Sequence, residues 1–195
     1  MDKMDQSKGV LVDALKAYTG LSDERIANML DEVPIQEVCK GTVLLEQGDI
    51  PSHSYYVISG LIRQYVTDEE GKAITVDFYT EGQPINMFSF QDNEGCSRYS
   101  LVCLENCVFV DCTDVDEDSK AESPEISHMK RQMFEKQFSE LQQHYTALKL
   151  KTPQERYQLL CEERPELLQR VPQIHLASYI GVTPETFSRF KKRMK

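Results

Sequence analysis

Four polar side chains near the C-terminal end of the sequence could read a nucleic acid. Glu185, Ser188, Arg189 and Lys192 lie three and four residues apart, so a helix sets them on one face. That face offers one anion, two cations and a hydroxyl. These are the donor and acceptor types that meet base edges and phosphates in a DNA major groove. The opposite face is apolar, with Phe187, Phe190 and Met194 at the same kind of spacing.

The residues around this helix specify how it is held. Thr183 is a natural N-cap, and Pro184 suits the first helical position, where its missing N–H costs nothing. Gly181 stands where a preceding helix must stop and the chain reverse, which favours a residue tolerant of positive φ. That preceding helix runs to about Ile180, with Ala177 and Ile180 on one face. Small Ala177 permits close helix approach, so residues 171–195 predict a helix-turn-helix. An ordinary helical hairpin closing a domain would carry many of the same features, so the rest of the chain must decide.

The net charge of −10 is unusual for a DNA binder, but it is unevenly spread. Residues 147–195 hold 10 Lys and Arg against 5 Asp and Glu, whereas residues 1–146 hold 12 against 27. Phosphate attraction is local, being screened beyond about 8–10 Å at physiological salt, so the regional excess governs contact. Arg189, Lys191, Lys192, Arg193 and Lys195 crowd the C-terminus, where they also complement the dipole of their own helix.

At 195 residues, with 40% hydrophobic and 28% charged, the composition is that of a globular chain of one domain or two small ones. No apolar run approaches the ~18 residues of a membrane span, and Met1–Lys8 lacks the apolar core of a signal peptide. The expected location is the cytoplasm, with no membrane partner. Cys39, Cys96, Cys103, Cys107, Cys112 and Cys161 form no CxxC pair and no Cys/His ligand spacing, so no metal site is expected. In a cytosolic chain these thiols are expected to be reduced and mostly buried.

The elements that must position the helix-turn-helix follow in order. Residues 8–31 predict two short helices, with Val10, Leu11, Leu15 and Tyr18 on one face and Ile26, Met29 and Leu30 on another. From Pro34 to Cys112 the pattern becomes short strands: 42–45, 54–58, 61–66, 73–79 and 99–103, rich in β-branched and aromatic residues and separated by Gly-containing turns. Such spacing indicates a barrel or jelly roll. Asp114–Glu125 imitates a calcium loop, but Ser119 replaces the turn glycine and Pro124 disrupts its end. It predicts an acidic connector with a helical turn capped by Thr113. A long helix then runs from Ile126 to Leu150. Phe134, Phe138, Leu141, Tyr145 and Leu148 recur at spacings of 4, 3, 4 and 3, a heptad seam suited to a second copy of the helix. Ile126, Met129 and Met133 are expected to pack on the chain's own β domain. Thr152-Pro-Gln-Glu155 predicts a capping box that starts a fresh helix. Arg156–Gln169 continues it, interrupted by Pro165.

Lys40-Gly-Thr-Val-Leu-Leu-Glu-Gln-Gly-Asp49, Tyr56-Val-Ile-Ser-Gly-Leu-Ile-Arg63 and Glu70-Gly-Lys-Ala-Ile-Thr75 resemble the cyclic-nucleotide-binding β-roll. With the C-terminal motif, nearly the whole chain resembles a Crp/Fnr-family transcription regulator. The resemblance implies an α+β fold: an N-terminal double-stranded β-helix (jelly-roll) effector domain, a long dimerisation helix and a C-terminal helix-turn-helix. The corresponding boundaries are 1–122, 123–150 and 151–195. It also implies that Glu185, Ser188 and Arg189 face base edges. Arg189 suits a guanine and Glu185 a cytosine amino group. Thr183 and Lys192 suit phosphates, and Thr186 completes the DNA-facing set.

The departures concern the effector. Members that bind cyclic AMP carry a cassette of the type Gly-Glu-x-x-Gly-Glu followed by Arg-Ser or Arg-Thr. Here the stretch is Gly82-Gln-Pro-Ile-Asn-Met-Phe-Ser-Phe90, with Asn86 for a Gly and Met87 for the ribose-binding Glu. Ser97-Arg98 stands where Arg-Ser or Arg-Thr is expected, and one step along a strand turns a side chain to the other face. Phe78, Phe88 and Phe90 are candidates to fill the pocket. The oxygen-sensing branch uses an N-terminal cysteine cluster, and residues 1–38 contain no cysteine. Members often continue into a small β-wing; with the sequence ending at Lys195, wing contacts are expected to be absent.

These readings converge on a homodimeric, sequence-specific DNA-binding transcription regulator whose degenerate pocket does not take cyclic AMP. Its expected partners are double-stranded DNA with a pseudo-palindromic operator and a second copy of itself. RNA polymerase and an unidentified small effector are further candidates. No cofactor and no catalytic residue is expected: His53, His128, His144 and His175 are scattered, with only His53 in the β region. The alternative is a ligand-sensing module of the same fold whose output is not DNA binding.

Overall fold

The computed structural model describes residues 9, 11–13, 15–16, 19, 21–26, 34–112 and 124–193. The chain divides into two units, residues 1–63 with 78–135 and residues 64–77 with 136–195.

Among the described residues, eight strands run in chain order: β1 (Ile35–Val38), β2 (Val43–Leu45), β3 (Ser54–Ser59), β4 (Ile62–Thr67), β5 (Ala73–Tyr79), β6 (Pro84–Asn86), β7 (Ser100–Cys103) and β8 (Cys107–Asp111). They form two four-stranded sheets ordered β1-β8-β3-β6 and β2-β7-β4-β5. Almost every neighbour is distant in sequence, as in a jelly roll. β8 pairs antiparallel with β1 (Val38 opposite Cys107) and with β3 (Val57 opposite Phe109).

The period-two alternation of the strands makes two cores. Tyr55, Val57, Ile62, Leu101, Cys107 and Phe109 share one cluster with Ile85, Met87 and Phe90. Ile58, Val108 and Val110 point to the other, where they meet Leu11 and Ile26. All five residues of β8 are therefore buried. The described residues among 9–19 and 23–26 are helical, as expected of the two N-terminal helices; Val10, Tyr18, Met29 and Leu30 lie outside the described residues. The Thr113 turn and most of the acidic connector, residues 113–123, lie outside them too.

Thiol burial is narrower than expected. Cys103 and Cys107 are buried, Cys39 is exposed, and Cys96, Cys112 and Cys161 are half-buried; all six are free. Cys39 falls just past β1. No helix among the described residues is long and apolar enough to cross a membrane. Nor does any cluster of His, Cys, Asp and Glu among them suit a metal ion.

Among the described residues, five helices follow: α1 (Pro124–Leu150), α2 (Pro153–Glu163), α3 (Leu167–Arg170), α4 (Gln173–Tyr179) and α5 (Pro184–Arg193). Residues 124–135 of α1 belong to the first unit and the remainder to the second. The capping box at α2 forms as predicted: Glu155 N–H donates to Thr152 Oγ1, and Thr152 N–H donates to Glu155 Oε2 at 2.7 Å. Pro165 interrupts the run, separating α2 from α3. The second unit also contains the turn end of the β4–β5 hairpin. There Thr75 N–H donates to Ser178 Oγ at 2.9 Å, and Arg164 pairs with Asp77 at 3.1 Å.

Candidate nucleic-acid interface

α4 and α5 are joined by a tight turn. Gly181 takes φ +73°, the left-handed value that L side chains avoid. Gly181 N–H donates to Ser178 O and Val182 N–H to Ala177 O at 2.9 Å, closing the end of α4. Thr183 Oγ1 accepts from Thr186 N–H at 3.3 Å, so its hydroxyl caps α5. Leu176, Ala177, Ile180 and Phe187 are buried at the helix crossing. Phe187 meets the Tyr157 ring of α2 edge-on at 5.1 Å, and Phe190 lies 5.9 Å from the same ring. The apolar face of α5 is thereby fixed to α2 and α4.

The other face is left to solvent. Glu185, Arg189 and Lys192 are exposed, while Thr186 and Ser188 are half-buried. Arg189 donates to Thr186 Oγ1 at 3.0 Å, which steadies the guanidinium over the outer face. Hydrogen bonds from its own N–H and from the Thr183 hydroxyl hold the Glu185 carboxyl below its usual range, helped by Arg189. Glu185 is thus an anion and an acceptor at neutral pH. Lys191, Lys192 and Arg193 occupy the last turn. The sequence-predicted polar set therefore comes together on one helix; Met194 lies outside the described residues.

On α1 the seam is equally legible. Phe134, Phe138, Leu141, Tyr145 and Leu148 are 47%, 61%, 60%, 57% and 42% exposed in the single chain. An apolar stripe of this length on a lone helix is unusual unless something covers it. Met129 and Met133 are half-buried.

The stretch expected to carry an effector looks different. Met87, at the start of a 3-10 turn (Met87–Phe90), is 1% exposed and lies in the inter-sheet core beside Phe90. Phe78 is buried as well. Ser97 is buried, and its hydroxyl donates to Tyr99 O at 2.7 Å. Arg98 is exposed.

Residues 35–112 match the family model described as the cyclic nucleotide-binding domain. Around that domain, the chain shares its architecture with solved regulators. It is 16% identical to the c-di-GMP-responsive global regulator CLP of Xanthomonas campestris, covering 89% of this chain and 91% of that one at a TM-score of 0.64. It is 18% identical to the CRP/FNR-family regulator TTHA1359 of Thermus thermophilus, covering 83% and 85% at 0.62. FixK2 of Bradyrhizobium japonicum gives 17% identity, 83% and 84% coverage, and 0.61. At such identities the likeness is one of fold: a jelly-roll nucleotide-binding domain, a long helix and a C-terminal helical unit, as in Crp/Fnr-family regulators. No curated protein sequence matches the chain.

The sequence missed Arg156, whose guanidinium donates to Ile180 O, Lys151 O and Leu148 O. It also missed the packing of Tyr179 on His144, with ring centroids 4.9 Å apart. Neither has a local sequence signal.

Proposed function

We propose that the protein is a homodimeric, sequence-specific DNA-binding transcription regulator of the Crp/Fnr type. The observation that carries this reading is the division of α5, which buries Phe187 and leaves Glu185, Arg189 and Lys192 exposed. Arg189 reads a guanine, Glu185 accepts from a cytosine amino group, and Ser188 completes the base contacts. Lys192 and the capped N-terminus at Thr183 and Thr186 meet phosphates. The seam of α1 pairs with a second copy. Two recognition helices then stand about one DNA turn apart, ~34–36 Å, over a pseudo-palindromic site. The working division is 1–122 for the effector domain, 123–150 for the dimer helix and 151–195 for the DNA-binding domain.

In this reading the effector pocket is degenerate toward cyclic AMP and cyclic GMP. Met87 cannot accept from a ribose hydroxyl, and Ser97 cannot pair a buried phosphate as a guanidinium would. Selection from random duplex DNA with the full chain tests the main claim: it should enrich one inverted repeat. Enrichment of no sequence, with a folded dimer, leaves the ligand-sensing module without DNA output as the better reading. Titration calorimetry with cyclic AMP and cyclic GMP should show no binding at micromolar concentrations, and a micromolar dissociation constant would reverse the assignment of the pocket.

A further inference from the structure

We infer that Arg156 is a spacing-determining residue: by tying the end of α1 to the turn of the helix-turn-helix, it fixes how far apart the two recognition helices of a dimer stand. This rests on the dimeric DNA-binding reading above.

The end of α1 lacks donors. Lys151 N–H still reaches Ala147 O at 2.9 Å. The next N–H, that of Thr152, is taken by Glu155, and residue 153 is a proline without one. The Leu148 and Lys149 carbonyls therefore lose their helical partners. Arg156 Nη1 lies 3.0 Å from Lys151 O and 3.5 Å from Leu148 O. Its Nε donates to Ile180 O, at the end of α4, at 2.9 Å. Four residues past Ile180 stands Pro184, again without an N–H. One planar group thus bridges the Leu148 carbonyl of α1, the Lys151 carbonyl just past it and the Ile180 carbonyl at the end of α4, next to the turn that leads into α5. The fit is close: a Cβ on Gly181 would lie 3.4 Å from Arg156 Nη2.

The geometry matters because a guanidinium holds its donors at fixed angles, whereas an ammonium is a single point. Only residues 151 and 152 separate α1 from α2. Without the bridge, the Tyr179–His144 stacking still joins α4 to α1, but the junction at residues 151 and 152 loses its guanidinium tie, and a small bend there is magnified at α5. Arg156 is not on α5, so its loss leaves the base-reading side chains as they are. The expected defect is tolerance of wrong half-site separation, not of wrong bases.

The test uses the full-length dimer and duplexes bearing the selected half-sites, with the spacer varied one base pair at a time. Each step moves the half-sites ~3.4 Å apart and rotates one about the axis. Wild type should lose roughly tenfold or more in affinity on a one-base-pair change, and Arg156→Ala should reduce that discrimination by roughly tenfold, the worth of one charge-assisted hydrogen bond. Base preference within each half-site should be unchanged. Arg156→Lys, able to reach Lys151 O or Ile180 O but not both, should fall between. Circular dichroism and sedimentation confirm fold and dimer for each variant. If Arg156→Ala does not fold, Arg156→Lys decides, and wild-type spacing discrimination in it overturns the inference. So does a variant that weakens all spacings and all sequences alike. A wild type that binds the half-sites equally at every spacing sinks this inference alone, whereas a wild type that enriches no sequence sinks the DNA-binding reading beneath it.

Discussion

The stretch from Gly82 to Arg98 and the helix from Pro184 to Arg193 differ in what the fold does with their side chains. In the first, the side chains are consumed internally. Met87 fills the core, and the Ser97 hydroxyl is spent on Tyr99 O. In the second, the core takes Phe187 and little else, and the charged side chains are left outward. Burial of an apolar side chain is worth about 1.5–3 kcal/mol to folding, so Met87 is explained by stability. No comparable gain explains Arg189 or Lys192. The outward face of α5 is where function remains to be accounted for.

The largest effect should come from placing a charge in the first of these stretches. Met87→Glu would place a carboxylate in an apolar core without a paired cation. We expect a loss of roughly 3–5 kcal/mol in urea unfolding, the usual cost of an uncompensated buried charge, and no rescue by cyclic AMP. A variant as stable as wild type, or one that cyclic AMP stabilises in a saturable way, would mean that the site is open and the contrast with α5 is wrong.

Next comes the apolar stripe that the single chain does not consume. Phe138 is 61% exposed, so Phe138→Asp should cost the lone chain little. In a dimer it would set two carboxylates against the seam and forfeit about 1.5–3 kcal/mol per side chain in burial alone. Sedimentation should show a dimer for wild type at micromolar concentration and a monomer for the variant. A wild-type monomer would leave the stripe unexplained and remove the basis for a two-half-site operator.

Smaller effects separate the side chains of α5 from one another. Arg189→Ala should cost about 1–3 kcal/mol per half-site on the selected operator and relax preference at one base pair. Lys192→Ala should weaken all sequences alike and flatten the salt dependence by about one unit of slope. Binding isotherms at several salt concentrations distinguish them. Identical behaviour of the two variants would mean that α5 contributes charge but no readout.

The same division explains what could be read from sequence. α5 was legible because both its faces obey one helical period, and its cap, proline and preceding glycine are all local signals. β3, β4 and β5 were legible from alternation and β-branched content. β1 and β6 were not, because Ile35-Gln-Glu-Val38 and Pro84-Ile-Asn86 are too short to show a period; β8 and β3 make them strands by pairing. Arg156 was invisible for a similar reason. Its carbonyl partners lie 5, 8 and 24 residues away, and nothing in a lone arginine after a capping box announces them. The fate of Met87 could be suspected from its type, but only the sheet packing put it in the core.

His144 offers the finest test, since it belongs to the same unit as α5 yet is consumed as Met87 is. Its ring stacks on Tyr179, whose hydroxyl lies 3.3 Å from Nδ1. Burial lowers its pKa below the ordinary 6.5; Arg164 and Arg156 lower it further, while Asp77 and Glu163 oppose them. The folded chain therefore binds this proton less readily than the unfolded chain. Its contribution to stability is complete above about pH 6.5 and is lost as pH falls through the folded value, with a slope of at most ~1.4 kcal/mol per pH unit. His144→Gln keeps an acceptor for the Tyr179 hydroxyl and cannot titrate. Urea unfolding should give stabilities for variant and wild type that differ by a constant amount above neutrality, with the wild type falling faster than the variant below about pH 6.5. Base preference on selected DNA should be the same for both at neutral pH. Parallel unfolding curves across that range would show that His144 does not titrate differently on folding. A changed base preference would place it with the outward residues and break the contrast between consumed and uncommitted side chains.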